Sequence, residues 1–172
     1  MGPIRAETEI DAPRERIFAV LSDLSRRPSF TDHFLTGFRL TRLDSTGVGA
    51  GARFRVQAPL RSPWEDTTIV EAEEPFRIVE RGRCGRANRI PTQTVWELTG
   101  ASGSLLRVRL THWTEPGNPL DRAVEIASGA SFWQARGWRE ALRRLRDQIE
   151  SDAPAAARIA VAGGNRYATG VP

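Results

Sequence analysis

Apolar and polar positions alternate along most of this chain with a period of two, and near its end the period lengthens to that of a helix. Ile4, Ala6, Thr8 and Ile10 alternate with Arg5, Glu7 and Glu9, the pattern of a strand with one buried face. A helix follows: Asp11 or Ala12 can cap it, Pro13 suits its first turn, Ile17, Phe18, Val20 and Leu21 form its apolar side, and Ser22 and Asp23 end it. Ser25 to Phe34, with Pro28 early and Phe30 and Phe34 four apart, predicts a second short helix.

Period two then returns. Gly37 to Leu43 and Ala52 to Ala58 predict a hairpin joined through GVGAG at 47 to 51. Trp64 to Ala72, Phe76 to Arg83, Thr92 to Thr99 and Leu105 to Glu115 predict four more strands, with Cys84 to Arg89 as a loop. From Gly117 to Ser151 the spacing alternates between three and four: Leu120, Val124, Ala127, Ser131, Gln134, Trp138, Leu142, Leu145 and Ile149 share one face. This predicts one long amphipathic helix, its apolar face interrupted by Ser131 and Gln134. Residues 152–172, rich in Ala, Gly and Pro, read as a mobile tail in which Ile159 to Val161 could dock on the sheet.

Consecutive antiparallel strands with one apolar face need a cover, and the long helix is the surface large enough to supply it. The expected class is therefore α+β, with a curved sheet of about seven strands wrapped around a C-terminal helix and a single domain over residues 1–151.

The opening IDAPRERIFAVLSDL (10 to 24), GVGAGARFRV (47 to 56), WEDTTIVEAEEPFRIVERG (64 to 82) and the final helix together resemble the helix-grip fold of the SRPBCC superfamily. That superfamily includes START lipid-transfer domains, birch pollen allergen-like proteins and polyketide cyclase/dehydrase proteins. The resemblance spans residues 4–150. It implies a deep apolar cavity between sheet and helix, used to bind hydrophobic small molecules or to catalyse their cyclisation or dehydration. No catalytic set is common to the superfamily, so none carries over.

Composition narrows the chemistry further. All 25 basic residues are Arg, so Schiff-base chemistry and a phosphate-loop lysine are excluded. The net charge of +4 comes from Arg scattered among 21 acids, without the basic stripe a nucleic-acid surface needs. One cysteine, no apolar run of about 20 residues and no signal peptide point to a cytoplasmic protein without integral membrane association. GVGAG leads into the alternating ARFRV rather than a helix, so no phosphate site is expected. The two His and one Cys lack ligand spacing, and neither metal nor other cofactor is expected.

If Leu106, Val108 and Leu110 face the cavity, alternation places His112 there too, either as a general acid or base or as a hydrogen-bonded histidine near the sheet edge. Asp66 is expected inward with Trp64, Thr68 and Val70, because Glu65 and Glu71 would occupy the outer face. Glu80 shares parity with Phe76 and Ile78. Either carboxylate could exchange protons with His112, or could pair with one of the many Arg residues. Ser131 and Gln134 are candidate ligand contacts from the helix, while Trp64, Trp96, Trp133 and Trp138 are candidate walls for a flat ligand. His33 is expected at the rim. Two functions thus stand open: binding of a hydrophobic, lipid-, aromatic- or polyketide-like molecule, or a cyclase/dehydratase-type enzyme using His112 with Asp66 or Glu80.

Overall fold

The computed structural model describes residues 3–58, 62–101, 105–127, 129–151 and 160–161. Chain order is β1 (Ile4–Asp11), α1 (Arg14–Ser22), α2 (Pro28–Thr31), β2 (Leu35–Leu40), β3 (Gly51–Val56), β4 (Trp64–Glu73), β5 (Arg77–Cys84), a 3-10 turn (Arg86–Asn88), β6 (Ile90–Gly100), β7 (Leu105–Thr114), α3 (Pro119–Ala127), α4 (Ala130–Glu150) and β8 (Ala160–Val161). The strands form one sheet in the order β1-β7-β6-β5-β4-β3-β2-β8. All neighbours are antiparallel except β8, which runs parallel to β2 through Arg39↔Ala160 and Leu40↔Val161. This is the α+β helix-grip architecture. Of the expected tail, only this pairing belongs to the described residues.

The sheet is a meander from β2 to β7 closed by β1, because each short turn returns the chain beside its predecessor while α1 and α2 carry it from one edge to the other. Its buried face packs on α4, whose Trp138, Ala141, Leu142, Leu145 and Ile149 recur at three- and four-residue spacing and are all buried. Each of the larger of these contributes roughly 1.5–3 kcal/mol by leaving water, which makes the second half of α4 the anchor of the fold. Facing them are Ile10, Ile17, Leu21, Ile78, Trp96, Leu98, Val108 and Leu110.

Two expectations are corrected. The helix foreseen from Gly117 to Ser151 is two helices, because Gly129 takes a left-handed conformation (φ 60°, ψ 21°) between α3 and α4. Glycine adopts that geometry without the steric cost another residue meets, so the helix ends and restarts there. Cys84 is also the buried last residue of β5 rather than part of a loop.

Candidate functional site

Cross-strand register sorts the buried face of the sheet into rows. One is apolar: Ala6, Leu110, Trp96 and Ile78. The next runs Ile4, His112, Thr94, Glu80, Ile69. Beyond it lie Thr114, Thr92, Gly82 and Thr67, then Ile90, Cys84, Glu65 and Phe54. The sheet therefore grips α4 with its apolar rows and keeps an interior polar patch of Glu65, Thr67, Glu80, Thr92, Thr94, His112 and Thr114, all buried. Buried polar groups on this scale require partners, and the partners divide the patch into a closed and an open part.

Glu80 is the closed part. Its Oε1 accepts from Arg27 Nη2 and from Trp96 Nε1, both at 2.7 Å, and its Oε2 accepts from the Thr67 hydroxyl at 3.2 Å. Arg27, brought in from the segment between α1 and α2, is 2% exposed, lies over the Trp96 ring and also donates to the Leu21 carbonyl. Glu80 and Trp96 thus face inward as expected, and Glu80 is held by an Arg, as the second of its two expected roles had it. Three donors converge on this one carboxylate and anchor it.

His112 is the open part. Its Nδ1 lies 2.9 Å from the Thr94 hydroxyl, while Nε2 is buried with no hydrogen-bond partner. Burial pushes its pKa down from 6.5 to about 4, against the opposing charge of Glu80, so the ring is neutral at neutral pH. Trp138 of α4 stands beside it, ring centroids 6.4 Å apart, and meets Trp96 edge-on at 5.7 Å. On the helix, Ser131 and Gln134 are both half-buried, and Gln134 Oε1, like Arg27 Nε, is a further buried atom without a partner.

Asp66 and Trp64 are not inside. Asp66 pairs with Arg53 on the outer face (Nε to Oδ1 3.5 Å) and accepts from Asn88 Nδ2, and Trp64 carries the Arg53 and Arg55 guanidiniums over its ring. The inward residues of β4 are Glu65, Thr67 and Ile69. The cause is a bulge: Ile69 pairs with Glu80 and Glu71 with Val79, so Val70 is an extra residue. Beyond it Ala72 packs on the core while Glu71 and Glu73 face out, so even-numbered positions point inward on one side of the bulge and odd-numbered ones on the other. Strict alternation run backward through Val70 therefore selects the wrong face.

Glu65 is the residue that this slip concealed. It is wholly buried beside the Thr92 hydroxyl, and burial, reinforced by the charges of Glu80 and Asp66, pushes its pKa up from 4.5 to about 8 against the opposing Thr92 hydrogen bond. At neutral pH it is a carboxylic acid with a proton to donate. The signal for it was available only from the pairing of β4 with β5.

Trp133, expected as an inner wall, is 41% exposed and stacks edge-on with Phe132 on the outer side of α4. His33 is half-buried, its Nε2 3.1 Å from the Gly137 carbonyl, and burial lowers its pKa. Among the described residues no group of three His, Cys, Asp or Glu is placed to hold a metal ion, and no helix is long and apolar enough to cross a membrane.

Comparison with known proteins agrees with this architecture. The profile of the family described as polyketide cyclase / dehydrase and lipid transport matches residues 1–150, and the chain belongs to that family. Similar solved structures include the KanY protein (21% identity, TM-score 0.68, 87% of this chain and 99% of that one). TTHA0849 from Thermus thermophilus superposes with TM-score 0.65 at 17% identity, over 89% of this chain and 100% of its own. The major latex-like protein 151 of Panax ginseng does so with TM-score 0.65 at 12% identity, over 86% and 97%. At these identities the likeness is one of fold. No curated protein matches in sequence.

Proposed function

We propose that the protein binds a largely apolar small molecule bearing a hydroxyl or carbonyl group, seated between the sheet and α4. The observation that carries this reading is the pair of buried, unpartnered polar atoms, His112 Nε2 and Gln134 Oε1, on opposite walls of the fold. A buried donor or acceptor left without a partner costs about 1–3 kcal/mol, and a ligand group that supplies the missing hydrogen bond recovers it. Trp96 and Trp138 offer flat apolar surface beside these atoms. A neutral His112 suits a neutral ligand, because binding then buries no charge.

The test is a titration with a matched pair of apolar ligands, one with a hydroxyl and one without, followed by the fluorescence of the tryptophans. The hydroxylated ligand should bind more tightly, and His112→Leu should erase the difference. Equal affinity of both ligands for the wild-type protein would remove the support for this reading.

A second reading, proton transfer during cyclisation or dehydration, is favoured by one specific feature. Glu65 is an acid at neutral pH and His112 a neutral base on the same buried face, two register rows and three strands apart, so that each would serve a different end of one extended substrate. Glu80, committed to Arg27, Trp96 and Thr67, takes no part in this transfer. Mass spectrometry of ligand recovered from the protein, before and after incubation, distinguishes the readings: an altered ligand with wild type but not with Glu65→Gln would establish chemistry.

A further inference from the structure

Outside the interior, a cleft of about 910 Å³ runs along the flank of α4, between that helix, the start of β2 and the end of β3. Its volume falls within the range that holds a small organic ligand. Phe34 forms part of its floor, with the ring against Gly137, where an added Cβ would come within 2.6 Å of it, and edge-on to Trp138 at a centroid distance of 5.1 Å. Because Trp138 in turn touches Trp96 and His112, the Phe34–Trp138 pair is a wall between this cleft and the polar patch. The two sites are separate.

The lining has two characters. Trp133 presents an exposed aromatic face, supported edge-on by Phe132, and exposed aromatics beside a concave surface are common marks of recognition. Arg136, Arg139 and Arg143 bring three positive charges to the cleft, of which Arg143 is already bridged to Glu140 and, at 2.8 Å, to Asp147. The Glu140 carboxylate is itself shared: it accepts from Arg143 Nη2 at 2.7 Å and from Arg144 Nε at 3.0 Å. Among the described residues Arg136 and Arg139 have no acidic partner within 4.0 Å. His33 adds a neutral polar edge, its Nδ1 buried and without a partner.

We infer that this cleft is a second ligand site, selective for small amphipathic anions: a flat aromatic body against Trp133 and Phe34, with a carboxylate, sulfonate or phosphate held by Arg136 and Arg139. Guanidinium groups without carboxylate partners are ready to form charge-assisted, bidentate hydrogen bonds to such a group, and the aromatic floor supplies the apolar contact. This selectivity is opposite to that of the interior, where a charged group would have to be desolvated.

The probes are 1-anilinonaphthalene-8-sulfonate and N-phenyl-1-naphthylamine, which share a body and differ in the sulfonate. Affinity for the sulfonate should fall about tenfold in the double variant Arg136→Gln/Arg139→Gln and should weaken as salt rises, while affinity for the neutral probe is unchanged. Trp133→Ala should likewise weaken the sulfonate alone. Both arginines are exposed, so these variants fold. Wild-type affinity of the double variant for the sulfonate, or one-for-one displacement of the neutral probe by the sulfonate, would overturn the proposal. The neutral probe and the His112→Leu variant report on the interior separately, so the failure of one site is distinguishable from that of the other.

Discussion

Arg27 and Glu80 meet at 2.7 Å in the interior, each about 3% exposed at the side chain, and neither has water to fall back on. Removing one partner leaves the other as an uncompensated buried charge, whereas removing both need cost little. Arg27→Met should therefore destabilise the fold by about 3–5 kcal/mol, and Arg27→Met/Glu80→Gln, which removes both charges yet keeps an acceptor for Trp96 Nε1, should restore much of the loss in a urea titration. Glu65 and His112 make a different prediction, about pH. Glu65 holds its proton more tightly folded (about 8, against an ordinary 4.5), so its contribution is complete below pH 4.5 and is lost as pH rises towards 8. His112 behaves oppositely: its pKa falls from 6.5 to about 4, so its contribution is complete above 6.5 and is lost as pH falls towards 4. Between pH 4.5 and 6.5 the two slopes oppose each other, with His33, also lowered, adding to the loss on the acid side. Between pH 6.5 and 8 Glu65 acts alone among them and stability should decline by about 2 kcal/mol. Glu65→Gln should abolish that decline, which denaturation midpoints across the range would reveal. At this scale the sequence was partly legible. The even spacing of β7 placed His112 inside because no bulge interrupts it, and the same rule failed for Asp66 because one does.

Helix α4 approaches the start of β2 closely only because residue 137 has no side chain. A Cβ there would sit 2.6–2.7 Å from the Phe34 ring, nearer than van der Waals contact allows, so Gly137→Ala must displace the ring or the helix. Overpacking of this kind costs about 1–3 kcal/mol. Phe34→Leu should cost stability alone yet lessen the effect of Gly137→Ala, a coupling that a double-mutant cycle on thermal midpoints would detect. The helix was legible as an amphipathic stripe, since Trp138, Leu142, Leu145 and Ile149 follow the period without interruption. Its break at Gly129 was not, because the three-four spacing continues across it from Ala127 to Ser131 and periodicity alone does not register a reversal of φ. Trp133 was misplaced for a related reason: a tryptophan one position from the stripe faces away from the sheet however apolar it is.

For the molecule as a whole, the order of strands and the covering helix followed from pattern because a meander leaves few alternatives for burying one face. The division of that face into gripping apolar rows and a polar patch did not, since it depends on cross-strand register, which alternation within each strand leaves undetermined. A ligand seated on the patch binds the folded state alone and must stabilise it. At a concentration about one hundred times its dissociation constant the gain is about 2.7 kcal/mol, visible as a raised thermal midpoint. The same ligand should leave the midpoint of His112→Leu less shifted if its polar group reaches Nε2. An amphipathic anion in the outer cleft should raise the wild-type midpoint independently, and the two increments should add because Phe34 and Trp138 keep the ligands apart.

The bulge at Val70 also bears on how members of such a family are compared. Deleting Val70 would leave Ile69 facing in, Glu71 facing out and Ala72 facing in, a regular strand with the same interior. A gap at this point in an alignment is thus neutral for the lining, while gap-free counting along the strand assigns its far half to the wrong side. Equivalent interior positions in β4 are found by counting along β5, whose partners keep their places whether the extra residue is present or not.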